Sequence, residues 1–223
     1  FSEAVSTPEF SNCNYNIAYA YFKMKEYDQA GNYFQKQIDK GTDKTRLNDA
    51  YLRLADCLFV TNKYGLAMEA YAKVIEQKSV DSDYALYQRS LSFGFIGKND
   101  KKIESLVSFL EKYPKSEYRD DVLFELGNTY VTVNKDDQAI KIYDQLLLEF
   151  GNGSFVSKAI LRQGLVYYNA EKDEKALVKF KKVVADFPKS AEALEAVSTA
   201  RLIYVENGLS LIHISEPTRP RLI

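Results

Sequence analysis

The sequence predicts an all-α protein built as a helical-hairpin solenoid, with five complete repeats and a half-repeat at either flank. Three observations predict it. A pair of small and large positions recurs five times at spacings of 36 or 37 residues. The apolar residues inside each unit follow the i, i+3/i+4, i+7 rule of amphipathic helices. Proline or glycine joints separate the units, and only five prolines and ten glycines occur in 223 residues, which suits long helices.

The second helix of each unit is marked by Ala30, Ala67, Ile103, Ala139 and Ala176, each followed four residues later by Phe34, Tyr71, Val107, Tyr143 or Phe180. About twelve residues earlier, the first helices carry Ala18, Ala55, Ser90, Gly127 and Gly164. Three residues after those stand Tyr21, Leu58, Phe93, Tyr130 and Tyr167. Small residues let two helix backbones approach where they cross, and large ones fill the groove beside them. Between the halves lie turns at Lys25-Glu26, Asn62-Lys63, Lys98-Asn99, Asn134-Lys135 and Glu171-Lys172, the third lengthened by one residue. Such turns can only reverse direction, so each unit is a hairpin. Between units, Tyr113-Pro-Lys-Ser116 and Phe187-Pro-Lys-Ser190 place a helix-ending proline before a serine suited to N-cap the next helix. Phe150-Gly-Asn-Gly-Ser154 does the same with glycines.

In order, small residue, aromatic, turn, alanine, aromatic and proline, the pattern resembles the tetratricopeptide repeat. The clearest copies are Leu126-Gly127…Tyr130…Ala139…Tyr143 and Gly164…Tyr167…Ala176…Phe180…Pro188. The resemblance implies a right-handed solenoid. On it, residues 9–189 form five hairpins, 1–8 end a preceding repeat helix, and 190–208 form the first helix of a sixth unit. The period and the Tyr/Phe-Pro-Lys-Ser joints resemble the bacterial envelope branch, which includes outer-membrane assembly lipoproteins and Tol–Pal-associated periplasmic proteins. Residues 209–223 share none of the pattern. From Leu209 to Arg219 they resemble the translation of a transposase adapter used in sequencing libraries, so the chain is expected to be a fragment that natively continues both ways.

Composition narrows the function. The formal charge is −1, or −2 without the tail, and gives no footprint for nucleic acid or an anionic membrane. No apolar run approaches the ~18 residues of a transmembrane helix. His213 is the one histidine and lies in the tail; without it neither a His-activated nucleophile nor an ordinary zinc site can be built. Cys13 and Cys57 read as small core hydrophobes, and no Gly-rich phosphate loop is present. Acidic pairs such as Asp120-Asp121 suit helix starts. The expectation is therefore a non-enzyme without metal or cofactor, binding protein rather than nucleic acid.

The resemblance also implies a site. First helices of this repeat line a concave groove, which puts Tyr15, Tyr19, Phe22, Arg53, Phe59, Arg89, Phe124, Asn128, Arg162 and Tyr168 at its surface, with Leu52, Asp56, Gln88, Phe95, Glu125 and Leu165 beside them. Aromatics and arginines are what protein-binding hot spots favour. Tyr15 and Tyr19 replace the Lys/Asn pair by which heat-shock co-chaperones hold a C-terminal carboxylate, so that role is not expected. The reading is a scaffold or adaptor in the bacterial periplasm or on the inner face of the outer membrane, or otherwise in the cytoplasm. The alternative is a binding arm of a truncated multidomain enzyme.

Overall fold

The computed structural model describes residues 8–206, and all regular structure in that range is helical. Eleven helices follow one another: α1 (Pro8–Lys23), α2 (Tyr27–Lys40), α3 (Lys44–Val60), α4 (Tyr64–Glu76), α5 (Ser82–Phe95), α6 (Asn99–Lys112), α7 (Arg119–Thr132), α8 (Asp136–Glu149), α9 (Val156–Asn169), α10 (Asp173–Asp186) and α11 (Ala191–Glu206). The adapter-like segment and the segment assigned to a preceding repeat, Pro8 apart, lie outside the described residues. Contacts divide the described residues into two compact units, the first ending at Arg119 and the second beginning at Asp120. Within the first, each helix from α1 to α5 packs on the next, ending at α6. Within the second, α8, α9, α10 and α11 do the same, and α11 also reaches back to α9.

Each hairpin closes on a small residue of its first helix, with the large residue sixteen places later lying over it. Ala18 and Phe34, and likewise Ala55 and Tyr71, are fully buried. At Gly127 and Gly164 the approach is closer still. A Cβ there would stand 2.5 Å from Cε1 of Tyr143 and 2.5 Å from Cε1 of Phe180. Glycine is weak in a helix interior. Here it is required because an aromatic ring occupies the space a methyl group would take.

All five turns share one geometry. In the first, the Lys25 N–H donates to the Phe22 carbonyl at 3.0 Å and the Glu26 N–H to the Tyr21 carbonyl at 2.9 Å. That 5→2 and 6→1 pairing is the Schellman motif, and it needs a left-handed residue between. Lys25 (φ 62°), Asn62 (61°), Gly97 (73°), Asn134 (56°) and Glu171 (56°) supply it. Only one is glycine, so four turns hold a side chain in a region that L-residues enter at a cost.

This geometry corrects the reading of the third hairpin. The turn is Gly97-Lys98 rather than Lys98-Asn99, and it has the same length as the others. Lys102 and Leu106, not Ile103 and Val107, occupy the two key positions. The Lys102 N–H donates to the Lys98 carbonyl at 3.0 Å, as the Ala139 N–H does to that of Lys135 at 3.0 Å. A lysine fits an alanine position because its stem is aliphatic and because Gly94 opposite leaves room. A Cβ on Gly94 would meet Lys102 Cδ at 2.9 Å.

Two further expectations change. Cys57 is buried but Cys13 is exposed, and both thiols are free; α1 turns Asn14 and Ala18 inward, which points its neighbour Cys13 out. Ser190 caps α11, accepting the Ala193 N–H at 3.1 Å. Ser116 does not cap α7, which begins three residues later. It accepts from the Tyr118 N–H at 3.2 Å and donates to Asp83 at 2.6 Å.

Gly164→Ala tests the crossing. The added methyl collides with Phe180, so the variant should lose about 1–3 kcal/mol by overpacking. An uncrowded helix glycine would gain roughly 1 kcal/mol from the same change. Urea unfolding of both proteins gives the sign.

Candidate functional site

Residues of the first helices that do not face their own second helix make up the candidate surface. In the first unit these come from α1, α3 and α5, and their polar groups bond to one another. Tyr15 and Tyr19, one turn apart on α1, both donate to Asp49 Oδ2 at 2.7 Å. Arg53, one turn beyond Asp49 on α3, donates from Nε to the Tyr19 hydroxyl at 3.3 Å and from Nη1 to Asp56 Oδ2 at 3.0 Å. Asp56 accepts on its other oxygen from Tyr71 at 2.9 Å and Tyr84 at 3.1 Å. Three hairpins are thus tied by one chain of tyrosine, aspartate and arginine.

Burial sets the electrostatics of this chain. Asp56 is 8% exposed. Desolvation holds its carboxyl above the ordinary range, against the pull of Tyr71, Arg53 and Tyr84. Burial works against the Arg53 cation as well. The Tyr19 hydroxyl and the charges of Asp56 and Asp49 outweigh it and leave the cation more firmly protonated than usual. Tyr15, Tyr19, Tyr71 and Tyr84 are all pushed up, by burial first and then by the neighbouring carboxylates.

The predicted aromatics in this unit are half-buried rather than open. Tyr15 and Tyr19 meet edge-to-face at 5.0 Å, and Tyr19 packs on Phe34 at 5.4 Å. Phe22 packs on Tyr27 at 5.6 Å. Phe59 lies 5.5 Å from both Tyr64 and Phe95, and the latter two stack at 4.6 Å. Phe95 is the exposed member, at 60%. The Arg89 guanidinium lies 5.4 Å over Phe93. Asp49 and Tyr64 were missed by the sequence reading. The signal for Asp49 was present: Tyr15/Tyr19 and Asp49/Arg53 are two i, i+4 pairs nearly one repeat apart.

In the second unit the candidate residues border a cleft of about 320 Å³ between α7 and α9, lined by Asn128, Val131, Thr132, Arg162, Leu165, Val166 and Asn169. Asn128 is fixed from behind by Tyr143, whose hydroxyl donates to its Oδ1 at 2.8 Å. Arg162 is the one exposed residue of the ten predicted. Phe124 does not line the cleft. Its ring stacks on Phe155 at 4.8 Å and tilts against Tyr143 at 6.2 Å, wedged between hairpins. Tyr168 is half-buried against the core of α9, α10 and α11. Among the described residues no cluster of three His, Cys, Asp or Glu could hold a metal ion. Among them, no helix is long and apolar enough to cross a membrane.

The helical hairpins, with a small residue at every crossing, define a protein of the helical-repeat class. Family comparison makes this specific: tetratricopeptide-repeat models match residues 11–39, 49–77, 84–116, 122–149 and 158–190, and the chain belongs to that family. Comparison with curated protein sequences returns no match. Among solved structures, one described as the MamA protein is similar at TM-score 0.68 and 20% identity, over 83% of this chain and 96% of that one. A tetratricopeptide repeat protein from Parabacteroides merdae ATCC 43184 is similar at TM-score 0.72 and 13% identity, over 89% and 73%. YrrB, described as a tetratricopeptide protein with an unusual peptide-binding site, is similar at TM-score 0.63 and 17% identity, over 83% and 90%. At these identities the likeness is one of fold.

The tyrosine chain makes stability depend on alkaline pH. The four phenols and the Cys57 thiol, pushed up to about 12 by burial, all have folded-state pKa values above their unfolded ones. Their contribution is complete below the unfolded values, 9.0 for the thiol and 10.0 for the phenols, and is lost as pH rises through the folded ones. Urea midpoints measured from about pH 8 to 11.5 should hold level and then fall from near pH 9. Tyr71→Phe with Tyr84→Phe should flatten the fall above pH 10. An unchanged slope would rule these two phenols out as its source.

Proposed function

We propose that this tetratricopeptide-repeat protein is an adaptor that holds segments of another protein on the first-helix faces within each compact unit, with the α7–α9 cleft as a principal contact in the second. The observation that carries the reading is the cleft itself. Its one charged lining residue is the exposed Arg162, its walls are the apolar Val131, Leu165 and Val166, and Asn128 is held in place by Tyr143. An arginine fork beside a fixed amide suits a carboxylate side chain or successive backbone carbonyls. Apolar walls suit the side chains between them. In the first unit the half-buried Tyr15, Tyr19, Phe22 and Phe59 offer ring edges held in advance, the two tyrosines by Asp49 and Arg53, Phe22 by packing on Tyr27 and Phe59 by packing on Tyr64 and Phe95. Rings already ordered lose little entropy on binding. The tetratricopeptide repeat is in general a non-catalytic scaffold for protein–protein contacts, which agrees with this role.

We place the protein in the bacterial envelope, on the strength of the Tyr113-Pro-Lys-Ser116 and Phe187-Pro-Lys-Ser190 joints and the period near 36. Fractionation of the source bacterium with an antibody to this chain tests the location.

Quantitative capture from an envelope extract tests the surface. Arg162→Glu should reduce partner recovery at least tenfold, about 1.4 kcal/mol or more. Phe59→Ala with Tyr168→Ala should do the same if the rings contact the partner. The control is Lys141→Glu with Lys181→Glu, two exposed second-helix lysines. Lys179 is unsuitable, because it donates to the buried Gln163 at 2.6 Å. Loss of the partner in the control, with full recovery in Arg162→Glu, would move the binding surface to the second helices.

A further inference from the structure

A second cleft, of about 390 Å³, opens on the other side of the first unit. It runs between the second helices α2 and α4 and is floored by Leu54, Cys57 and Leu58 of α3. One lining residue, Gly31, sets it apart from the later hairpins. Directly after the buried slot that Ala67, Lys102, Ala139 and Ala176 fill in the later hairpins come Met68, Ile103, Ile140 and Leu177, four large apolar residues, all half-buried. In the first hairpin the slot is Ala30 and the next residue is Gly31. A Cβ on Gly31 would meet only ordinary contacts, Cys57 Cβ at 3.6 Å and Leu54 Cδ1 at 3.7 Å. The glycine is therefore not demanded by crowding, as it is at Gly127 and Gly164. It leaves open a place that its sister repeats fill from within.

We propose that this cleft is a binding pocket for one leucine, isoleucine or methionine side chain of a partner polypeptide that carries a lysine or arginine nearby. The aliphatic class follows from the four sister residues and from the apolar floor. The cationic neighbour follows from the rim. Lys63 is paired with Asp28 at 2.7 Å and Lys73 with Glu76 at 3.0 Å. Glu69 stands exposed on the α4 side, next to the half-exposed Leu66. A polypeptide, rather than a small apolar solute, is indicated by the exposed Asn32 on the α2 side, which offers an amide group beside the opening; its neighbour Gln35 donates to Asp39 at 2.8 Å and leaves its carbonyl oxygen to accept. An anchor residue in an apolar pocket inside a polar rim is the usual form of a protein-binding hot spot. This pocket stands independently of the α7–α9 cleft, with which it shares no residue.

The test is a random-peptide display selection against the full chain, with Gly31→Leu as the subtraction target. That substitution supplies the sister side chain from within and favours the helix, so the variant should fold and melt no lower than the parent. Enriched peptides should share an aliphatic residue with a lysine or arginine within about one helical turn. When titrated, they should weaken at least tenfold on Gly31→Leu and on the exposed substitution Glu69→Lys. Arg162→Ala, which strikes the other cleft, should leave them unchanged. The proposal is overturned if no peptide survives subtraction, or if the survivors lack the aliphatic residue. It is equally overturned if they bind Gly31→Leu as tightly as the parent, or if a small apolar solute such as benzene occupies the cleft and no peptide does. Should Gly31→Leu fail to fold, Glu69→Lys alone decides, and undiminished binding to it rejects the pocket.

Discussion

The structure depends on one contact repeated in every hairpin, the closure of a large side chain over a small residue sixteen places earlier. At Gly127 and Gly164 a ring lies where a β-carbon would be. Ala18 and Ala55 are fully buried at the same position, and Ser90 turns its hydroxyl aside, bonding to the Leu86 carbonyl and to Ser105. Helix packing is short-ranged, so this closest approach fixes which side of each helix is spent inside the hairpin. The remaining sides are left for neighbouring hairpins or for partners. The first-helix face and the cleft between second helices are both consequences of that division.

The turns serve the same contact. Because the Schellman motif has a fixed geometry, the two helices of each hairpin enter the crossing in the same register. The chain accepts four left-handed residues other than glycine to preserve it. The third hairpin shows how strongly the register is held. Rather than lengthen the turn to bring Ile103 inward, the fold places Lys102 in the slot and accommodates its stem over Gly94. A buried lysine costs more than a buried isoleucine. A turn of different length would have lost the 6→1 and 5→2 bonds and shifted every contact beyond it.

Polar groups between hairpins do a different kind of work. The chain from Tyr15 to Tyr84 through Asp49, Arg53 and Asp56 leaves each charge with an opposite partner or several hydroxyl donors. A buried network of this kind adds little net stability but allows few alternative arrangements. It therefore orients Tyr15 and Tyr19 before any partner arrives. In the second unit Tyr143 does this for Asn128 alone, and Arg162 remains exposed.

The sequence by itself determined the hairpins, their period, and the small-over-large crossing in four of five repeats. These follow from helical periodicity and residue volume, which are local properties of the chain. It also placed Asn128 and Arg162 at one surface, because both adjoin the small residue of their helix. Only the tertiary structure decided the register of the third hairpin, since a lysine in an alanine slot is legible only when Gly94 is seen opposite it. Only the structure joined Asp49 to two tyrosines, and turned Phe124 from an open anchor into a wedge on Phe155. Only the structure shows that Gly31 faces Cys57 and Leu54 of the next hairpin with room for a larger side chain. The reason is the same in each case. What a side chain touches across helices depends on how residues of different helices are brought together, and periodicity within one helix carries no record of that.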